Sequence, residues 1–112
     1  MVKKYIPERG DIVSFNFSPQ IGHEQRGKRP ALVLSPQSYN QKVGLLLAVP
    51  ITSYTKDYPF EIALPKALKT KGVVLIDQLR SIDWQQREVE FIEKIDEENI
   101  HMFLKRSRLL LV

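Results

Sequence analysis

Gly44-Leu45-Leu46-Leu47-Ala48-Val49-Pro50 is apolar almost without a break, and Ile51-Thr52-Ser53 carries it on into two hydroxyls. A short continuous apolar run of this kind, bounded by turn residues, reads as a buried β-strand. Upstream, Ala31-Leu32-Val33-Leu34-Ser35 repeats the pattern and is stopped by Pro36. Further upstream, Ile12-Val13-Ser14-Phe15-Asn16-Phe17 alternates, with Val13, Phe15 and Phe17 on one face and Ser14 and Asn16 on the other. Gly10-Asp11 opens that strand and Ser18-Pro19 closes it. Downstream of the first run, a loop is expected over Thr52 to Tyr58. Pro59-Phe60-Glu61-Ile62-Ala63-Leu64 follows as an edge strand, because proline cannot donate to a ladder. Gly72-Val73-Val74-Leu75-Ile76-Asp77 is a fifth run, Leu79, Ile82 and Trp84 continue it less regularly, and Val89-Glu90-Phe91-Ile92 adds one more alternating piece.

One long helix is expected, at the C-terminal end. Asp96 suits the N-cap, Glu97 and Glu98 fall in the electropositive first turn, and Lys105, Arg106 and Arg108 lie toward the negative end. Ile95 and Ile100 have the spacing of a hydrophobic staple. Ile100, Phe103, Leu104, Leu110 and Leu111 form an apolar stripe. Many short strands and one terminal helix make a mainly β, β-plus-α domain spanning residues 1–112, with a small, strongly bent sheet or barrel.

Composition narrows the function. A chain of 112 residues, 43% hydrophobic and 27% charged, is an ordinary globular domain. No apolar run approaches the roughly 20 residues of a membrane-spanning helix, and no signal peptide follows Met1-Val2-Lys3-Lys4, so a cytoplasmic protein is expected. There is no cysteine, which removes disulfides, thiolate nucleophiles and the commonest zinc sites. His23 and His101 are the only histidines, and no metal or other cofactor is expected. The net charge is +4, and it is unevenly spread: 12 basic and 6 acidic residues up to Arg80, against 5 basic and 7 acidic residues after it. A basic surface on the first two-thirds of the chain suits a polyanion, nucleic acid above all.

Gly22-His23-Glu24-Gln25-Arg26-Gly27-Lys28-Arg29-Pro30 is the segment richest in chemistry, and Gln20 to Arg29 reads as an exposed loop. Proton transfer at a phosphodiester needs a base, an acid and a cation to hold the phosphate, and His23, Glu24 and Arg29 could supply them. A solvated loop with scattered charges is the plain alternative. Thr52 and Ser53, where a strand meets a loop, can hold a phosphate oxygen or simply cap a turn. Asp77-Gln78-Leu79-Arg80 sets a carboxylate, an amide and a guanidinium at another strand end. Tyr58 and Trp84 could stack on bases, although a single tryptophan more often belongs to a core. Neither a P-loop, nor a Rossmann glycine pattern, nor a Gly-x-Ser-x-Gly elbow is present.

These motifs resemble the MazF/PemK family of toxin endoribonucleases. The resemblance begins at Gly10-Asp11-Ile12-Val13, is strongest over residues 22–35, and continues through Val49-Pro50-Ile51-Thr52, Tyr58-Pro59-Phe60-Glu61 and residues 72–83 in order. It implies an SH3-like barrel of the CcdB/PemK/MazF type, a homodimer, and metal-independent cleavage of single-stranded RNA, with mRNA the expected target. The 2′-hydroxyl would attack the adjacent phosphorus to leave a 2′,3′-cyclic phosphate and a 5′-hydroxyl. On this resemblance Arg29 and Thr52 are the central catalytic pair, Glu24 matches a proposed general base, and His23 and Asp77 match residues implicated in some members. Gln25, Arg26, Lys28, Ser53, Lys56, Tyr58, Asp77, Gln78 and Arg80 are the expected RNA contacts. Certain relatives carry an arginine where this chain has Leu75, which shifts proton transfer onto Arg29 with Glu24 or His23. A guanidinium pKa above roughly 12 makes Arg29 a charge stabiliser first. The implied partner is an antitoxin with an acidic, disordered C-terminal tail, through which alone operator DNA would be bound. A CcdB-like gyrase poison would need a Trp-Gly-Ile type ending where this chain has Leu109-Leu110-Leu111-Val112. A non-catalytic, nucleic-acid-binding SH3-like module would keep the basic surface without needing Arg29 and Thr52.

Overall fold

The computed structural model describes residues 4–16 and 28–112. In chain order they form β1 (Asp11–Asn16), β2 (Lys28–Val33), α1 (Gln37–Val43), β3 (Leu45–Thr52), β4 (Glu61–Ala63) and β5 (Val73–Leu75). A single 3-10 turn (Ile76–Gln78), β6 (Arg80–Asp83), β7 (Glu90–Lys94) and α2 (Glu97–Leu109) follow. The strands pair antiparallel in the order β4-β5-β3-β2-β1-β7, with β6 also on β3. The sheet curls in a barrel-like way, yet among the described residues its ends, β4 and β7, do not hydrogen-bond to each other. A register shift between Ile12 and Val13 bends β1 against β7.

Strand β3 is the hub. Along one edge it pairs with β2; along the other it pairs first with β6, through Leu45–Ala48, and then with β5, through Ile51 and Thr52. Both faces of the central strands are covered. Ile12, Leu32, Val49 and Ile51 pack toward Ile95, Ile100 and Phe103, while Val13, Phe15, Val33, Leu46 and Ala48 pack toward Ile82 and Trp84. That double burial is why β3 is written without alternation. Each large aliphatic side chain so buried contributes about 1.5–3 kcal/mol. The one tryptophan is a core residue, and its indole N–H donates to the Asn40 carbonyl at 2.9 Å.

Several boundaries differ from the sequence reading. Lys28 and Arg29 belong to β2, not to a loop, because they stand opposite Asn16 and Phe15 of β1. The rest of the expected loop, residues 20–27, lies outside those described, as does Phe17. Helix α1 was not expected. Its polar sequence hides Asn40, which is fully buried, accepts the Ser35 hydroxyl at 2.6 Å and donates to the Pro7 carbonyl at 2.8 Å. The run Gly72–Asp77 stops being a strand at Leu75. There the chain must cross from the β5 end of β3 to its β6 end, and the 3-10 turn makes that corner while keeping Ile76 buried. The edge strand shortens to three residues. In α2, Asp96 caps the Asn99 N–H at 3.2 Å as expected. Leu110 and Leu111, however, lie past the helix end and are 42% and 75% exposed, so they do not extend the buried stripe.

Candidate active site

Where β3 exchanges β6 for β5, the sheet opens into a pocket of about 520 Å³. Its floor is Pro50, Ile51 and Thr52, with Phe15 and Arg29 brought in from β1 and β2 by their direct cross-strand register. The corner between β5 and β6 contributes Leu75, Gln78 and Arg80, and the segment after β3 contributes Tyr54, Lys56 and Tyr58. Residues between 15 and 80 of the sequence thus meet in one place, most of them carried by strands or a turn whose position the core fixes.

Thr52 Oγ1 accepts the Tyr54 N–H at 3.1 Å, which leaves the hydroxyl proton available to donate. The Arg80 guanidinium lies 5.8 Å from the centre of the Phe15 ring, within cation–π range. Tyr58 stands edge-on to Phe60, with ring centres 5.7 Å apart, and its hydroxyl donates to Asp77. The hydrogen bond to the Asp77 carboxylate holds the Tyr58 phenol above its ordinary pKa. Glu61 is the one carboxylate among the described residues lining the pocket. Hydrogen bonds from the Thr55 hydroxyl and from neighbouring backbone N–H groups hold it below the usual range, hence ionised. Against it stand Arg29, Lys56 and Arg80, so the pocket carries net positive charge with two exposed tyrosines on its rim.

Six of the residues singled out from the sequence line this pocket: Arg29, Thr52, Lys56, Tyr58, Gln78 and Arg80. Asp77 reaches it only through Tyr58. Ser53 is exposed beside Thr52 without lining it, and Lys28 points elsewhere, forming a 2.5 Å ion pair with Glu90 of β7. His23, Glu24, Gln25 and Arg26 lie outside the described residues. Sequence reasoning missed Phe15 as a wall residue, together with Tyr54 and Glu61. Phe15 reads from the sequence only as part of one face of an alternating strand, and nothing in the spacing of Tyr54 or Glu61 distinguishes them. Among the described residues no three His, Cys, Asp or Glu side chains gather into a metal-ligand set, and no helix is long and apolar enough to cross a membrane.

A bent antiparallel sheet with a C-terminal helix and a cationic, tyrosine-rimmed pocket at a strand junction defines the class: a small β-domain whose pocket charge suits a polyanion. The comparisons specify it. Residues 8–111 match the model of the PemK-like, MazF-like toxins of type II toxin–antitoxin systems. The chain is 48% identical over 87 residues to the endoribonuclease toxin MazF of Escherichia coli strain K12, covering 78% of each. It superposes on crystalline MazF from Deinococcus radiodurans with a TM-score of 0.84 at 46% identity, over 96% of this chain and 98% of that one. On MazF in a MazE–MazF crystal from the same organism the TM-score is 0.89, again at 46% identity, over 96% and 97% of the chains. The protein belongs to the MazF/PemK family of endoribonuclease toxins.

Proposed function

We propose that this single domain is the toxin of a type II toxin–antitoxin module and cleaves single-stranded RNA, mRNA foremost, in the cytoplasm and without a metal. The observation that carries the reading is the meeting of Arg29, Thr52, Lys56 and Arg80 with Tyr54 and Tyr58 in one pocket. The 2′-oxygen bonds to phosphorus as its proton leaves to a base, and the bond from phosphorus to the 5′-oxygen breaks as that oxygen takes a proton. The products are a 2′,3′-cyclic phosphate and a 5′-hydroxyl. Arg29 meets the charge that grows on the phosphoryl oxygens, and Thr52, its oxygen already occupied by the Tyr54 N–H, donates its proton to the same group. Glu24 or His23 serves as base. Lys56, Gln78 and Arg80 hold flanking phosphates and base edges, and Tyr58 offers a stacking face. DNA lacks the nucleophile, so selectivity for RNA follows from the reaction. The test is RNA incubated with pure protein in EDTA: 5′-hydroxyl ends paired with cyclic phosphates are expected, and uncut RNA, or ends bearing 5′-phosphates, would overturn the mechanism. A gyrase poison would leave the RNA whole.

A homodimer is part of the reading. A second pocket of about 510 Å³, sharing no lining residue with the first, is walled by Leu34, Tyr39, Leu47, Leu79, Leu104 and Leu111. Leu109, Leu110 and Val112 add exposed apolar surface, more than a lone domain of this size needs. A two-fold axis through it would give a composite RNA groove. Sedimentation at micromolar concentration should give twice the 13.0 kDa chain mass; a fully active monomer would defeat this.

The partner is an antitoxin whose acidic tail folds over the cationic pocket, with operator DNA contacted only through that complex. Apolar positions of the tail should carry affinity and acidic ones encounter rate. Raising salt should therefore slow association more than it speeds dissociation. A tail peptide should compete with RNA, and equal binding to toxin saturated with non-cleavable RNA would exclude the shared site.

A further inference from the structure

The segment between β3 and β4 has an unusual support. Every residue from 53 to 60 is exposed, so no buried side chain anchors it. Its first end is tied by the Tyr54 N–H on Thr52 and its last by Tyr58 on Asp77. The middle is organised around one carboxylate. Both oxygens of Glu61 lie 3.0–3.1 Å from the Lys56 N–H, and Oε1 also accepts the Thr55 hydroxyl at 2.6 Å. The Thr55 oxygen in turn accepts the Asp57 N–H at 3.3 Å. Asp57 stands at φ 55°, a left-handed conformation that non-glycine residues seldom hold without such local bonding. The Glu61 N–H closes the turn on the Tyr58 carbonyl at 3.0 Å.

An anion is a costly thing to place in a pocket meant for phosphates, since it repels the substrate. Here its lone pairs are spent on the loop, and the side chains of Tyr54, Lys56 and Tyr58 reach the pocket from the frame it fixes. We propose that Glu61 is a positioning residue whose carboxylate sets the shape of residues 53–58 and thereby which bases the pocket accepts, an inference that rests on the RNA-cleaving reading of the same pocket.

Charge and position predict opposite signs. Were Glu61 only a negative charge beside the substrate, Glu61→Gln would tighten RNA binding. As the centre of the loop, it holds charge-assisted hydrogen bonds that the amide replaces poorly. KM for an oligonucleotide carrying the preferred motif should then rise about tenfold, more than kcat falls. The 5′-hydroxyl ends mapped on a mixed RNA pool should spread to sequences the parent protein leaves uncut. Thr55→Val keeps the charge, removes the hydroxyl that links Glu61 to Asp57, and should shift KM and cut sites in the same direction by a smaller factor. Because Thr55 is exposed and outside the pocket lining, this variant also decides the matter should Glu61→Gln fold poorly. Unchanged or lower KM with unchanged cut sites in the folded variants overturns the proposal while leaving the nuclease reading in place. A parent protein that cuts no RNA at all sinks the nuclease reading instead.

Discussion

Purified Arg29→Ala is expected to remain folded and to lose cleavage by about 10²–10³ in kcat, the usual cost of deleting one charge-stabilising donor at a developing oxyanion. Thr52→Ala should fall in the same range if, as proposed, its hydroxyl serves the same phosphoryl oxygens. Neither change should unfold the domain: Arg29 and Thr52 are only half-buried, and neither belongs to either core cluster. Removing both should cost much less than the product of the two single losses, as for residues that act as a unit. Near-parental rates from folded Arg29→Ala, followed by single-turnover cleavage of a labelled oligonucleotide, would remove the mechanism.

The second large effect comes from a residue that touches no substrate. A Cβ added to Gly72 would stand 2.3 Å from the Thr52 carbonyl oxygen and 2.9 Å from its carbonyl carbon. Both are backbone atoms of β3 and have nowhere to retreat. Gly72 precedes Val73, which pairs with Thr52, so the clash falls on the residue proposed to donate to the phosphoryl group. At φ 127° the substitution is strained as well. Gly72→Ala should therefore lose about 1–3 kcal/mol to overpacking, with the backbone strain added, and should cut kcat by displacing Thr52. Gly44→Ala is the control. Gly44 also has a positive φ, 84°, but nothing lies within 4 Å of its added Cβ. It should lose only the left-handed penalty, about 1–2 kcal/mol, and keep its rate. Equal melting temperatures and equal rates for the two variants would show that the approach at Thr52 carries no weight.

Sequence periodicity sufficed where a strand's own residues decide its fate, as in the unbroken β3 or the capped and stapled α2. It failed where a neighbour decides. Lys28 and Arg29 look like loop residues and become strand because β1 pairs with them. Gln37–Val43 looks like a polar connection and becomes a helix between Pro36 and the left-handed Gly44, a boundary signature that was there to be used. The side chain of its buried Asn40 is satisfied by Ser35 and Pro7, which no local pattern announces. The site followed the same division. Arg29, Thr52, Gln78 and Arg80 could be picked from motifs, whereas Phe15, Tyr54 and Glu61 became wall residues only when β3 changed partners.

That change of partners also bears on how the protein is made. Phe15, Arg29, Thr52 and Arg80 share a pocket although the ribosome delivers them tens of residues apart. The core beneath it is closed by Ile100 and Phe103, which emerge after all of them. A nascent chain that has not reached Arg80 has no complete pocket, and one that has not released α2 lacks the wedge that stiffens the sheet. Chains cut short before α2 are therefore expected not to assemble the pocket on a supported sheet.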